Sequence, residues 1–257
     1  MLSTESHNTI LVDNQPQHRG GLPETYQATE PLAGNWVTTD RFDWVTGTYA
    51  DGYGGDRDKS VTHERTIVFI KPSYLVVFDR LLGTGDHAYS NLFHLSADDA
   101  AVDADTLAVR TTQADAANVA LVPLARQGLT VKIVKGHEDP VQGWAPMAGH
   151  TPSPTAIYEK AGPCPQLFVT LLVPYAKGSE PTITGELLDV GAPQNEALGL
   201  RVTVGDGADT LLYSFGGPRQ MAVGGIRAEA RLALVRQKPG AELATAAMDG
   251  KLVSAGE

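Results

Sequence analysis

Cysteine is almost absent from this sequence. Among 257 residues there is one, Cys164, in the turn-like stretch Gly162-Pro163-Cys164-Pro165. A single cysteine excludes an intramolecular disulfide and a cysteine-based zinc site. The hydrophobic core therefore has to hold the fold, and we interpret Cys164 as a structural residue.

Positive charge is also scarce. The chain has 20 Lys and Arg residues against 30 Asp and Glu residues, which gives a formal net charge of −10. Nucleic acids and anionic membranes attract proteins with a basic surface, so neither is expected as a partner. An acidic polysaccharide would be repelled at long range unless cationic side chains such as Arg19, Arg41 and Arg65 cluster in the folded protein.

Several sequence signals of location and catalysis are missing as well. Residues 1–5 lack the basic and apolar regions of a signal peptide, and no apolar run is long enough to cross a bilayer, so the chain as given is expected to be soluble. No glycine-rich phosphate loop, His-Glu-x-x-His or Gly-x-Ser-x-Gly motif occurs. These absences exclude most nucleotide-binding, metalloprotease and esterase functions.

Short alternating or β-branched runs make up most of what is present. Thr66–Ile70 and Tyr74–Leu82, joined by Lys71-Pro72-Ser73, predict a β-hairpin within a packed sheet. Further strands are predicted at Phe42–Ala50, His87–Leu95, Leu107–Thr112, Val119–Leu124, Leu129–Lys135, Leu167–Tyr175, Ile183–Val190, Leu198–Val204, Thr210–Phe215 and Ala228–Arg236. Only 98–105 and 241–248 carry weak helical patterns. We predict one all-β domain over residues 1–257, a large antiparallel β-sandwich with little helix.

The irregular segment 136–154 is a candidate binding loop. It carries Trp144, His137 and His150 among glycines and prolines. An aromatic ring on the rim of a sandwich can stack on the apolar face of a sugar, so Trp144 and His150 are candidate substrate-binding residues. The alternative is that Trp144 only pins the loop to the core.

The histidines show no local metal-binding spacing. No two of them stand two or four residues apart, so a metal site would have to be assembled across strands or with another polypeptide. His94 is expected to be a half-buried core residue bonded to a carbonyl, and Asp79 a strand-end carboxylate paired with an arginine or capping a turn. His7 precedes a short predicted strand, where it suits either a metal ligand or proton carrier, or an ordinary surface position.

Four stretches, in order, resemble the heparinase II/III-like polysaccharide lyases. The first, Ser6 to Gln17, is similar to that family's His-Asn-Thr-Val-Leu-Val-Asp-Gly-x-x-Gln segment. The others are Arg65–Arg80, Tyr89–Leu95 ending in Phe-His-Leu, and Thr170–Tyr175. The individual motifs are short, but their shared order makes the resemblance fairly specific.

The resemblance implies an enzyme built from an α-helical toroid followed by a large, supersandwich-like β-sandwich. Such enzymes cleave uronic-acid glycans of the alginate or glycosaminoglycan type by β-elimination, commonly with a tyrosine as base or acid. It further implies a periplasmic or secreted location, an acidic polysaccharide as partner, and a zinc ion held by two histidines and an aspartate. His7 inherits one ligand position, and Gln17 is taken as substrate-binding.

The sequence departs from the family upstream of His7. Only six residues precede His7, whereas the other zinc ligands and the toroid with its tyrosine lie upstream in the family. The catalytic tyrosine therefore maps to no residue here, and His7 alone is not expected to bind zinc tightly. A toroid-bearing partner chain or a homo-oligomer would supply the missing parts.

Three functions remain open from the sequence. The chain is either the sandwich part of a lyase, a free-standing sandwich that binds glycans or proteins without chemistry, or a small lyase. The small lyase would have to use its own residues, such as His7, His150 and Tyr49 or Tyr53.

Overall fold

The computed structural model describes residues 3–18, 35–145 and 151–255. The chain forms two compact units, Met1–Gly178 and Ser179–Glu257. Nearly all regular structure is β-strand, which confirms the predicted all-β class. No helix in the described ranges is long and apolar enough to span a membrane. The assignment of residues 1–257 to one domain stays a prediction.

The first unit begins with a 3-10 helix, η1 (Thr4–Ser6), and continues as strands. These are β1 (Ile10–Val12), β2 (Trp36–Thr38), β3 (Phe42–Tyr49), β4 (Val61–Ile70), β5 (Tyr74–Gly83), β6 (Asp86–His94), β7 (Ala100–Val102), β8 (Val109–Thr111), β9 (Asn118–Pro123), β10 (Thr130–Val134), β11 (His137–Glu138), β12 (Val141–Gln142), β13 (Thr155–Pro163) and β14 (Gln166–Tyr175).

Two antiparallel sheets enclose the core of the first unit. One has the order β2-β3-β4-β5-β14-β9-β8-β7 and the other β1-β6-β13-β10. The core cluster draws on both sheets, with Val61, Leu81 and Phe168 from the larger one and Tyr89 and Tyr158 from the smaller. Apolar side chains recur at every second position of these strands, so each sheet presents one apolar face to the other.

The second unit contains eight strands in two further antiparallel sheets, with the orders β15-β16-β17-β20-β21 and β18-β19-β22. The strands are β15 (Ile183–Leu188), β16 (Ala197–Val204), β17 (Gly207–Ser214), β18 (Arg219–Val223), β19 (Ile226–Ala230), β20 (Leu232–Gln237), β21 (Ala244–Met248) and β22 (Lys251–Ala255). Leu212 and Ala233 of the larger sheet share a core with Met221, Ile226 and Ala228 of the smaller one.

The predicted hairpin is confirmed, since β4 and β5 pair from Val61↔Gly83 to Ile70↔Tyr74. The weak helical patterns at 98–105 and 241–248 are wrong, because both places contain strands. The predicted strand Ala228–Arg236 is two strands, since β19 pairs with β18 and β22 while β20 pairs with β17 and β21. Strand β13 was not predicted, because Glu159 and Lys160 interrupt its run of apolar residues. Its strand conformation depends on pairing with β6 and β10.

Candidate functional site

Polar side chains lie on the core-facing side of the hairpin in the first unit. Arg65 of β4 stands directly opposite Asp79 of β5, and His63 stands opposite Leu81. Side chains alternate across a strand, so His63, Arg65 and Asp79 share the face of core residues Val61 and Leu81. Three residues that can carry a charge therefore occupy core-facing positions, where the alternation of the strands predicts apolar residues.

Asp79 is the centre of a buried polar cluster. Its side chain is 0% exposed. It accepts hydrogen bonds from His63 Nε2 at 2.7 Å, from Arg65 Nε at 2.5 Å and Nη2 at 3.0 Å, and from Asn91 Nδ2 at 2.9 Å. Asn91 belongs to β6 of the smaller sheet, whereas the other donors belong to the larger sheet. We call these four residues the Asp79 cluster; it joins the two sheets through the core.

The electrostatics of the cluster favour an ionised Asp79. Burial alone would raise the pKa of this carboxyl, but the Arg65 guanidinium and the hydrogen bond from His63 hold the pKa well below its usual range. A buried carboxylate is tolerated only when it is paired and fully hydrogen-bonded. Asp79 satisfies both conditions. Removing any one donor would leave part of the buried carboxylate without a hydrogen bond, which carries a large desolvation cost.

Arg65 connects the cluster to the segment His7–Asp13, which we call the His7 segment. Its Nη1 donates to the carbonyl oxygen of Asn8, and its Nη2 also donates to Asn91 Oδ1 at 3.2 Å. The Asn8 side-chain oxygen accepts from the His94 amide at 2.7 Å, and the Thr9 carbonyl accepts from the Leu92 amide at 2.9 Å. The cluster therefore anchors the segment against the end of β6.

We predict that Arg65→Lys loosens the His7 segment. Lysine keeps the charge but lacks the planar fork that reaches three acceptors at once. The Leu92 and His94 amides, whose acceptors are in the segment, should exchange with solvent about tenfold faster. Amide exchange by NMR or mass spectrometry, with global unfolding measured in parallel, checks this.

Arg80→Lys is the matched control, because Arg80 pairs with Glu64 at 2.8 Å on the other face of the same two strands. It should leave both amides unchanged. Equal exchange in the two variants would show that the Arg65 fork does not anchor the segment.

His7 itself is exposed at the end of η1, and its amide donates to the Thr4 carbonyl at 3.1 Å. His94 lies close by; burial and the nearby His7 lower the pKa of His94. His94 Nδ1 is 3.1 Å from Thr155 Oγ1, and a hydrogen bond to the Glu5 backbone partly opposes the lowering of the pKa of His94. Within 3–18, 35–145 and 151–255, no three His, Cys, Asp or Glu side chains group to hold a metal ion. The described residues therefore do not form a complete zinc site.

Gln17 lies against the His7 segment. Its Nε2 donates to Thr9 Oγ1 at 3.2 Å, its amide donates to Thr4 Oγ1 at 2.9 Å, and its backbone bridges to Tyr53. Gln17 thus has a packing role whether or not it also binds substrate. The substrate-binding role stays a prediction.

Tyr49 and Tyr53 have the properties of structural tyrosines. The Tyr49 hydroxyl lies 2.8 Å from the His18 carbonyl and 2.6 Å from the Gly52 carbonyl. Burial raises the pKa of Tyr49, as does Asp51, and burial raises the pKa of Tyr53 further. A tyrosine that serves as a base needs a lowered pKa. The described geometry therefore gives no support to a lyase centred on these two residues.

The end of the His7 segment is held by a histidine that the sequence did not single out. His87 Nδ1 lies 2.7 Å from Asp13 Oδ2 and its Nε2 lies 3.0 Å from the Thr84 carbonyl. Burial would lower the pKa of His87, but the hydrogen bonds to Asp13 and Thr84 raise it above the ordinary value. The protonated ring donates through both nitrogens, so this contact is an ion pair below that pKa.

We predict that His87→Gln destabilises the protein in a pH-dependent way. Because the folded pKa of His87 is raised, its contribution is fully present below its unfolded pKa of about 6.5 and disappears as pH rises through the folded pKa. The loss should be about 1 kcal/mol near pH 6 and smaller at pH 8 and above. Urea unfolding at both pH values checks this; a difference that grows with pH would contradict it.

The remaining predicted binding residues are Trp144, His150 and the three arginines of the expected cationic cluster. Trp144 is half-buried and its indole N–H donates to the His137 carbonyl at 2.8 Å, which ties together the loop that contains both. His150 and Arg19 lie outside the described residues. Arg41 adjoins β3 opposite Lys71, about 20 Å along the sheet from Arg65. Because Arg65 is also bonded to Asp79, Arg41 and Arg65 form no basic cluster.

Sequence reasoning placed Asp79 at a strand end, whereas it lies inside β5. Its pairing with an arginine is confirmed. His63 and Asn91 were missed, although each interrupts an apolar alternation, in Val61-x-His63 and in Tyr89-x-Asn91-x-Phe93. A polar residue in an otherwise core-facing register was the available signal.

The two sheets and their buried cluster form an antiparallel β-sandwich of the class seen in solved heparan sulfate lyases. HepC from Pedobacter heparinus superposes with a TM-score of 0.63 at 22% identity, over 82% of this chain and 30% of that chain. A heparinase III structure gives 0.55 at 15% identity, over 83% of this chain and 30% of that one. At such identities the likeness shows the fold, and the chain spans less than a third of these proteins' length.

The sequence comparison identifies the family. The model described as "Heparinase II/III-like, C-terminal" matches residues 1–182. This chain therefore belongs to the heparinase II/III-like family, which confirms the resemblance found in the sequence. No curated protein matches the sequence significantly.

Proposed function

We propose that this chain is the β-sandwich part of a polysaccharide lyase that cleaves uronic-acid glycans, of the alginate or glycosaminoglycan type, by β-elimination. The observation that carries the proposal is the family match over residues 1–182. The anchoring of the His7 segment by Arg65 supports it, because the segment that the resemblance singles out is held in one position. As in the family, a periplasmic or secreted location is proposed.

The reaction also needs groups that the described residues do not supply. β-Elimination requires a base for the C5 proton, an acid for the leaving O4 and a partner for the uronate carboxylate. Burial raises the pKa of Tyr49 and of Tyr53, which keeps both phenols protonated and disfavours either as the base at neutral pH. We therefore propose that an α-helical toroid, in the same polypeptide or in a partner chain, supplies the base and acid. His7 is proposed as one zinc ligand only.

The test compares two preparations. One is the 257-residue chain produced alone, and the other is the protein captured from its native cells with an antibody against the chain. Each is incubated with heparan sulfate, heparin, chondroitin sulfate, hyaluronan and alginate, and the ultraviolet absorbance of the unsaturated uronate product is followed. Product is expected only from the native preparation. No product on any of these glycans would overturn the lyase function, and product from the chain alone would overturn the need for a toroid.

A second candidate is a sandwich that binds glycans without chemistry. The observation in its favour is Trp36, which lies on the edge strand β2 and is 62% exposed. An exposed indole can stack on a sugar ring. Binding that is lost in Trp36→Ala or Trp144→Ala, in a native preparation that releases no unsaturated product, would favour this function.

A further inference from the structure

The second unit carries a groove on its three-stranded sheet, β18-β19-β22. The groove has a volume of about 470 Å³. Ala222 and Val253, which is 59% exposed, give it apolar surface, whereas the side chains of Met221 and Ala228 beneath it face the core of the unit. Ligand pockets of this size, with some apolar surface and a few polar groups, accommodate small organic molecules such as one or two sugar rings. The groove lies outside the residues that the family model matches.

Two cationic residues, Arg227 and Lys251, line this groove. Four of the five arginines in 179–255 pair with carboxylates: Arg201 with Glu186, Arg219 with Glu196, Arg231 with Asp249 and Arg236 with Asp209.

The side chain of the fifth arginine, Arg227, has no ion-pair or hydrogen-bond partner within the described ranges, and neither has the side chain of Lys251. Arg227 stands opposite Ala222 and Ser254, whose small side chains leave its guanidinium uncovered. Glu229, opposite Lys251, is the one carboxylate that lines the groove. The groove therefore carries a local excess of positive charge in a chain of net charge −10.

The ligand class follows from this chemistry. A guanidinium matches a carboxylate or a sulfate through two parallel hydrogen bonds, and an ammonium adds a point charge. The exposed side chains of Ala222 and Val253 suit the C–H face of a sugar ring, and Glu229 can accept from hydroxyl groups. We propose that this groove binds one acidic sugar unit, through Arg227 and Lys251, as a subsite separate from the reacting site. The proposal rests on the proposed function, because it takes the ligand from the same class of polysaccharide.

Methionine methyl NMR tests the site directly. The chain has four methionines, and Met221 lies under the groove while Met248 lies elsewhere in the same unit. With 13C-methyl methionine in the full chain, oligosaccharides are titrated in three forms: non-sulfated uronate, sulfated and neutral. Met221, assigned through Met221→Leu, should shift with one or both acidic forms and not with the neutral one, while Met248 stays. Comparing the acidic forms shows whether the carboxylate or the sulfate is recognised.

Variants separate charge recognition from folding. Arg227→Gln with Lys251→Gln should lower the affinity about tenfold, whereas Arg41→Gln with Lys59→Gln, exposed cations of the first unit, should not. An unmoved Met221 signal, equal binding of the neutral oligosaccharide, or equal loss in both double variants would overturn the subsite. In the native preparation, lyase activity is measured separately on the same oligosaccharides. Activity with no Met221 shift would therefore reject only the subsite, whereas no activity on any glycan would reject the proposed function.

Discussion

Asp79→Asn should lower the free energy of unfolding by about 3–5 kcal/mol, because it leaves the partly buried Arg65 guanidinium without its counter-charge and the buried His63 without its ionised acceptor. The asparagine side chain has nearly the shape of the aspartate, so packing is preserved and the loss reports on charge and hydrogen bonding. Arg65, His63 and Asn91 would each lose an ionised acceptor. Urea unfolding followed by circular dichroism measures the effect.

The pH dependence gives a second test of the same substitution. The folded pKa of Asp79 is depressed, so its contribution is present above the unfolded pKa of about 3.9 and is lost as pH falls toward the folded pKa. The difference between wild type and Asp79→Asn should therefore shrink below pH 4.

Asp115→Asn is the control for Asp79→Asn. Asp115 pairs with Lys177 at 2.5 Å, but its side chain is 92% exposed. Solvent screens such a pair, so the substitution should cost less than about 0.5 kcal/mol. If Asp79→Asn costs no more than this control, the cluster is not a stabilising unit. A double-mutant cycle of Asp79→Asn with Arg65→Met should show coupling of at least about 1 kcal/mol.

Gly83→Ala should destabilise the first unit by a similar amount, about 3–5 kcal/mol. Gly83 ends β5 with φ +146°, and a Cβ atom there would lie 1.8 Å from the carbonyl oxygen of Ser60. That oxygen accepts a hydrogen bond from the Thr84 amide at 3.1 Å, so backbone on both sides of the hairpin end would have to move. Chemical unfolding measures the change.

Gly47→Ala is the matched control, because Gly47 lies in β3 of the same sheet with no atom within 4 Å of an added Cβ. Alanine has less freedom to lose on folding, so this variant should be neutral or stabilised by up to about 1 kcal/mol. Equal effects of the two substitutions would show that the contact at Ser60 is relieved at little cost.

The Asp79 cluster both contributes to stability and contacts the His7 segment. Replacing a buried ionic cluster with apolar residues often leaves stability unchanged or improves it. The structure gives this cluster a further role, because Arg65 Nη1 donates a hydrogen bond to the Asn8 carbonyl and so holds the His7 segment. Arg65→Lys therefore separates the two roles, because it should alter the segment more than the overall stability.

The sequence by itself determined the fold class, the hairpin and the family. Alternating apolar residues and turn residues are local signals, and they predicted β4 and β5 correctly. The four ordered motifs resembled the family that the comparison then showed. Strands that form because of their pairing with neighbouring strands were harder to predict from the sequence. Examples are β13, which was not predicted, and Ala228–Arg236, which was predicted as one strand and is two.

Only the tertiary structure decided the site. Arg65 and Asp79 are 14 positions apart, Asn91 is 12 beyond Asp79, and Arg65 reaches Asn8 across 57 positions. Strand register places Arg65 against Asp79, and stacking of the two sheets brings Asn91 to them. No local sequence pattern encodes these contacts. They follow from the packing of the apolar faces of the two sheets against each other. This packing sets the positions of the polar side chains on those faces.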